Sequence, residues 1–438
     1  MSRRGGRPTH PRGTRARRRH RGSALLLLAW VAACAPPERE QPADTMRTGP
    51  DADSTLTAIR AQRILDGRGG VLENRDIVIR DGVIVDITPP GQSAAGLVHN
   101  IGRLTVMPGL IDTHVHIGWH FDRSGRSQSA QVPETEAERG FYMAENAWTT
   151  LMGGVTTAQS LGAPEDLALR DALARGVIPG PRLLTSISPV TERTGGPDEI
   201  RAFVDSMAAR GADVIKVFAS ASIRDGGAPT LSQEQLDAAC GAATERGLRS
   251  VVHAHGPESA QRAARAGCTT VEHGALLDRA SLEVMAEHGT FFDPNIDLVF
   301  RNYLENKERF LGIGNYTEEG FRQMEEALPR ALAVFREGLT VPGLRMVFGT
   351  DAVAGAHGRN WEELAYRVHQ GGQAPMDAIV SATSLAAESL GMSDRIGAIA
   401  PGMVADLIVT RGDPSEDIDA LGRVEWVMIG GRMIRAER

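Results

Sequence analysis

Cysteine is scarce in these 438 residues: there are three, and no two of them stand as a CxxC pair. The chain therefore lacks a cysteine metal motif and the makings of a disulfide framework. Cys240 falls in a helical pattern and Cys268 at a strand start, and both are expected as buried, reduced thiols. No apolar run is long enough to cross a bilayer, the longest being Ser23–Ala33 (SALLLLAWVAA). Acid is absent from Met1 to Arg21, which carries nine arginines, whereas the whole chain has a formal net charge of −7. Loss of that segment takes the charge from −7 to about −16, which argues against a nucleic-acid partner.

The arginine block, the short apolar run and Cys34 follow one another in the order of a secretory signal. Val31-Ala32-Ala33-Cys34 resembles the lipobox of bacterial lipoproteins, whose cysteine is lipidated and becomes the new N-terminus. The expected organisation is a signal peptide over 1–33 and a Pro- and Asp-rich tether over 34–55. It implies an exported protein of the cell envelope, facing the periplasm or the surface. Membrane contact would run only through a lipid on Cys34. A start at Met46 would instead give a cytoplasmic protein.

From Leu56 to Thr88 short alternating strands are punctuated by turn residues, and Arg80-Asp81-Gly82 reads as a hairpin turn. Residues 104 to about 350 alternate apolar strands with helical stretches, the pattern of parallel βα units. Eight strands can be placed: Leu104–Ile111, Val155–Ser160, Arg182–Ile187, Asp213–Phe218, Arg249–His253, Thr269–His273, Thr290–Pro294 and Arg345–Thr350. Eight such units predict a TIM-type (β/α)8 barrel over 105–393, with its site at the C-terminal strand ends. A helical insertion over 296–340 could cover the barrel mouth or be a plain surface elaboration. A helix is expected over Met376–Leu390. The β pattern then returns, so 56–104 and 394–438 should together complete one small composite β-sandwich.

The strand ends carry the chemistry. His114 and His116 are spaced i, i+2 at the end of VMPGLIDTHVH, so alternation puts both on one face. Lys216 lies within ADVIKVFAS, His253 and His255 end SVVHAHG, His273 ends TTVEHG, and Asp351 ends VFGTD. Taken singly, a histidine here is usually a packed, hydrogen-bonded side chain, and Asp351 could merely cap a loop. Converging on one barrel mouth, they have the donor types of a metal site. A lysine between Ile215 and Val217 is rarely buried without a partner. It could snorkel, form a Schiff base, or react with carbon dioxide to give a carbamate that bridges two cations.

The motifs PGLIDTHVH, GADVIKVFAS, HAHG with VEHG, FGTD and PGMVADLIV together resemble the amidohydrolase superfamily, in its imidazolonepropionase-like and prolidase-like branch. The resemblance runs over nearly everything from Leu56 onward. It implies a distorted barrel with a composite β-sandwich and two divalent ions, zinc by ligand type, bridged by carboxylated Lys216. His114, His116 and Asp351 would hold one ion, and His253 and His273 the other. The position of His255 would meet substrate. Dipeptide-cleaving relatives often carry a TGGH histidine, but here the stretch is Thr194-Gly195-Gly196-Pro197.

The expected activity is hydrolysis of an amide, lactam or peptide-like C–N bond of a small molecule by a hydroxide bridging the two ions. Asp351 would orient that hydroxide, take its proton and pass it to the leaving nitrogen. His255, Arg193, and the loop Ala354–Asn360 with His357 are the candidate substrate contacts. One alternative is a one-metal deaminase, although Glu258 falls outside the slot such enzymes use for their proton shuttle. Another is a non-catalytic binding lipoprotein. Homo-oligomers are frequent among such proteins, and nothing in the sequence decides the point here.

Overall fold

The computed structural model describes residues 56–128 and 132–436. The expected signal peptide, tether and Cys34 lie outside the described residues. Strand Thr57–Leu65 pairs antiparallel with Val71–Arg80, which turns back into Val83–Thr88. The turn residues Asp81 and Gly82 have φ of 50° and 80°. Two left-handed residues in a row match the right-handed twist of the ladder, which is why Asp-Gly serves there.

The two chain ends meet in one mixed sheet. Thr105–Pro108 pairs parallel with Thr57–Leu65 on one side and antiparallel with Leu407–Thr410 on the other. Val424–Ile429 and Arg432–Ala436 extend that sheet. Its far edge folds back, as the Ile84 amide donates to the Met403 carbonyl at 2.8 Å and Val83 bridges Val404. Ile59, Ile64, Ile77, Val106, Leu407 and Val409 are buried between the layers so formed.

The expected strand Leu104–Ile111 is in fact two. Thr105–Pro108 belongs to this end sheet, and Leu110–Val115 is the first barrel strand. Gly109 makes the step between them. A Cβ there would sit 2.2 Å from the Thr156 side chain, so only glycine lets the two strands approach.

The other barrel strands are Val155–Ser160, Arg182–Thr185, Val214–Phe218, Arg249–Ala254, Thr270–His273, Phe291–Asp293 and Arg345–Met346. They run parallel in arcs of three and five. Two seams complete the circle. Val190 bridges Val217 at one, and Val115 bridges Ala352 at the other. This is a distorted (β/α)8 barrel, with helices such as Glu136–Met152 and Gln233–Glu245 outside it. Both helices start on the capping boxes their sequences contain, Thr135 with Glu138 and Ser232 with Gln235.

The helix expected over Met376–Leu390 is broken into Pro375–Ser381 and Ser384–Ser389. Thr383 leaves helical geometry, its hydroxyl donates to the Gly67 carbonyl, and the Ala382 carbonyl accepts the Ile111 amide of the first barrel strand. Tertiary hydrogen bonds to two other segments replace helical ones there.

The 296–340 insertion holds helices Leu298–Glu305, Lys307–Phe310 and Glu318–Gly338. It reaches two loops of the barrel mouth. Arg309 Nε donates to the Gly125 carbonyl at 2.6 Å, beyond the first strand. Asn315 Oδ1 accepts from Arg224 at 3.0 Å, beyond the fourth.

The two cysteines are buried as expected, but they are not reduced. Cys240 and Cys268 form a disulfide, their Cα atoms 5.2 Å apart. Packing of helix Gln233–Glu245 beside the start of the sixth strand joins residues 28 apart in sequence, a spacing with no recognisable signature. Closing a loop of that length should contribute roughly 3–4 kcal/mol in the chain-entropy picture. Cys240→Ser with Cys268→Ser is expected to lose about that much in a urea titration, and an unchanged midpoint would show the bond to be unimportant.

Candidate metal centre

Lys216 stands at the middle of the fourth barrel strand, paired in register with Val251 of the fifth. Its side chain is 1% exposed, and Nζ has no hydrogen-bond partner. An ammonium ion in that position would be desolvated without a direct hydrogen bond to offset the cost. Burial lowers the Lys216 pKa from the usual lysine value, and the carboxylates of Glu272, Asp351 and Asp293 act in the opposite direction. The net shift is downward, toward easier loss of the ammonium proton than in a free lysine.

Around it the histidines form a continuous chain of rings. Centroids lie 5.3 Å apart for His116 and His114, 5.2 Å for His114 and His273, and 4.6 Å for His273 and His253. His255 joins at 4.7 Å from His253 and 5.0 Å from His273. Asp351 Oδ1 lies 3.3 Å from His114 Nε2 and 3.1 Å from His116 Nε2. Tetrahedral coordination with ~2.0–2.1 Å bonds separates neighbouring ligand atoms by roughly 3.4 Å. The Asp351–His114 and Asp351–His116 pairs are each spaced like two neighbouring ligands of one ion. His114, His273 and Asp351 also present donor atoms within 4.8 Å of one another.

Protonation states agree with this spacing. Burial, the largest cause, holds His114, His253 and His273 well below the usual histidine range, helped by Lys216 and by neighbouring rings. Neutral imidazoles offer a free lone pair. Burial works against the Asp351 carboxylate, yet His114 and His116 outweigh it and keep that carboxyl below its ordinary value.

Two of these residues adopt backbone that L-residues avoid. His273 has φ 70° and Asp351 φ 51°, at roughly 1–3 kcal/mol each. Left-handed backbone at His273 breaks strand alternation, so that Glu272 and His273 both reach the interior. Asp351 is locked by its amide, which donates to the His114 carbonyl at 2.7 Å. Gly349, just before it, passes so close to Asp293 that a Cβ would fall 1.8 Å from Oδ2.

Three acids of this site were not singled out from the sequence. Glu272 Oε2 lies 2.7 Å from His114 Nδ1; with the ring proton on Nδ1, Nε2 is left free to bind a cation. Burial pushes Glu272 up to about 7, against the pull of Lys216. Asp293 accepts from Thr113, Asn295, the Gly349 amide and Arg367. Asp112 accepts from the His114 and Thr350 amides, the Thr350 hydroxyl and Asn360, and so closes the seam beside Asp351. The signal was present: each is an acid inside an apolar strand, as Lys216 is a base inside one. Glu272→Ala should weaken metal binding by roughly 10- to 100-fold in a chelator competition. Undiminished affinity would show that Glu272 does not orient His114.

The expected substrate contacts separate. His255 is within the ring cluster, buried, with Nδ1 unpartnered. His357 packs beside the first-strand loop, Nε2 bonding the Trp119 carbonyl at 3.1 Å, and does not join the chain of rings. Arg193 is not held at the site. Its side chain is 91% exposed in the short turn Glu192–Thr194, with Glu192 4.0 Å away. Pro197 opens helix Pro197–Ala209, where its missing N–H costs nothing.

A parallel barrel that gathers histidines, a buried lysine and an aspartate at the C-terminal ends of its strands is a barrel hydrolase of the amidohydrolase type. The family model described as "Amidohydrolase family" matches residues 105–434, and the chain belongs to that family. It is similar to ochratoxinase of Aspergillus niger, 26% identical over 433 residues covering 87% of each chain. Similarity to imidazolonepropionase of Deinococcus deserti is 24% over 387 residues, covering 79% of this chain and 88% of that protein. The crystal structure of a Xaa-Pro dipeptidase with bound methionine superposes with a TM-score of 0.79 at 31% identity, covering 87% of this chain and all of that one. The chain is a hydrolase acting on carbon–nitrogen bonds.

Proposed function

We propose that this chain hydrolyses an amide or peptide-like bond of a small molecule with two divalent cations, zinc by donor type. The observation that carries this reading is the buried, unpartnered Lys216 Nζ among neutral imidazoles and carboxylates. His114, His116 and Asp351 would hold one ion, and His253 and His273 the other. Lys216 would join them once its amine has attacked carbon dioxide, forming an N–C bond and releasing a proton. The product is an anion that supplies two oxygens, and its buried charge would be matched by the cations it meets.

Bound ions would polarise the scissile carbonyl and acidify a water. Asp351 then accepts the proton from that water as it adds to the carbonyl carbon. The same carboxyl returns the proton to the nitrogen as the C–N bond breaks. Glu272 keeps His114 oriented throughout. His255, buried and with an unpartnered Nδ1, would meet the substrate.

Glu258 argues against a one-metal deaminase. Its carboxylate is 59% exposed on a helix and pairs with Arg262, outside the ring cluster. The signal-free protein should carry about two metal ions per chain, and chelation should abolish hydrolysis across an amide panel. One ion per chain, or hydrolysis that survives the chelator, would overturn the reading.

Export of the protein is also part of this proposal. A Cys240–Cys268 disulfide belongs to an oxidising compartment. Anchoring through Cys34 predicts that Cys34→Ser moves the protein from the membrane fraction to the soluble one, and an unchanged distribution would remove the anchor.

A further inference from the structure

Helix Trp361–His369, which follows the eighth barrel strand, buries a charged pair. Glu363 and Arg367 are spaced i, i+4, so they share one face, and both side chains are fully buried. Two buried charges on one helix are costly unless each meets partners. Here the partners belong to different parts of the fold.

Glu363 caps the insertion. Oε1 accepts from the Ile296 amide at 2.8 Å, and Oε2 from those of Asp297 and Leu298 at 3.0 Å and 2.8 Å. These amides open helix Leu298–Glu305, and the first turn of a helix has donors with no partner inside it. The Asp297 side chain does not cap that turn and pairs with Arg301 instead. A carboxylate from another helix thus fixes where the insertion is rooted.

Arg367 carries the connection inward. Nε lies 3.3 Å from Glu363 Oε1, Nη1 donates to the Val347 carbonyl at 2.8 Å, and Nη2 reaches Asp293 Oδ1 at 3.4 Å. The rings of Phe335, from the insertion, and Phe348 lie 5.7 Å and 5.8 Å from the guanidinium carbon. Asp293 in turn accepts from the Gly349 amide at 2.9 Å and the Thr113 hydroxyl at 3.1 Å. Thr113 adjoins His114, and Gly349 stands two residues before Asp351. One file of buried hydrogen bonds therefore runs from the root of the insertion to the two strand ends that bear these donors.

We propose that Arg367 is a positioning residue of the metal site. Through Asp293 it holds the first and eighth strand ends together, and through Glu363 it makes their spacing depend on a seated insertion. This rests on the metal reading above and adds a coupling to it. A planar fork serves Glu363, Val347 and Asp293 at once, whereas a lysine would keep the charge and lose that geometry.

Cobalt(II) is the probe, because its visible spectrum reports coordination geometry. Arg367→Lys should weaken cobalt binding by roughly 10- to 100-fold in a chelator competition and shift the visible bands. Glu363→Gln, one helical turn away, should act in the same direction. Combined, the two substitutions should lose less than the product of their separate factors, as members of one network do. A residue that only supports the fold would lower the urea midpoint and leave the affinity and spectrum of the folded protein unchanged. Reciprocity supplies a second readout. Metal loading should slow hydrogen exchange at the Ile296, Asp297 and Leu298 amides more than at end-sheet amides such as that of Val427, and Arg367→Lys should erase the difference. If Arg367→Lys does not fold, Glu363→Gln and the exchange rates of the parent decide. Parental affinity and spectrum in the variants, losses that simply multiply, or exchange indifferent to metal would overturn the coupling. A parent that takes up no cobalt would discard the metal reading itself, whereas uptake indifferent to both substitutions overturns this inference alone.

Discussion

Asp351→Asn is expected to keep its metal and to lose turnover on the order of a thousandfold. The substitution preserves shape. An amide oxygen can still face His114 and His116, whose Nε2 atoms lie 3.3 Å and 3.1 Å from Asp351 Oδ1. What the amide cannot do is accept a proton from water and return it to the leaving nitrogen. The effect should therefore fall on kcat, with metal content per chain close to that of the parent. Backbone geometry supports this separation. Asn tolerates left-handed φ as well as Asp does, so the φ of 51° at this position survives the change. A variant that hydrolyses a confirmed substrate at the parental rate would remove Asp351 from the proton path.

Lys216→Ala should be the other severe variant, for a different reason. Here the loss begins with the metal. Without the bridging anion, metal content should fall from about two ions per chain to about one, and kcat/KM by at least roughly a thousandfold. The cavity left at the strand centre allows a sharper question. Acetate or propionate should restore part of the activity, because each supplies the missing carboxylate, whereas ethylamine should not. Rescue by the amine alone would point to a lysine that acts as an amine, as in Schiff-base chemistry. Both outcomes are read against the same unpartnered Nζ, buried to 1% exposure.

Much of this was legible in the chain. Repeated apolar segments, several of them ending in a histidine or carboxylate, specify both a parallel barrel and the edge on which its chemistry sits, since strand ends on one rim converge. Lys216 was visible for the same reason: a cation inside a β-branched run conflicts with burial unless something answers it. The acids Glu272 and Asp293 obey that rule too, but Glu272 adjoins His273, and alternation puts neighbours on opposite faces. Only the left-handed φ of 70° at His273 brings both inward, and nothing in VEHG announces it. Arg193 and Arg367 make the contrast among the arginines. Nothing local separates them in sequence, and the exposure of one and burial of the other are decided by what packs around each.

Residue order alone determined the class of fold and the strand ends on which the candidate donors sit, because periodicity and residue chemistry are local properties. Tertiary structure decided which arginine is buried beside Asp293, which carboxylate orients His114, and that Cys240 reaches Cys268. Each of those pairings joins residues far apart in the chain, and their distances are set by how the helices, strands and insertion pack rather than by any spacing along it.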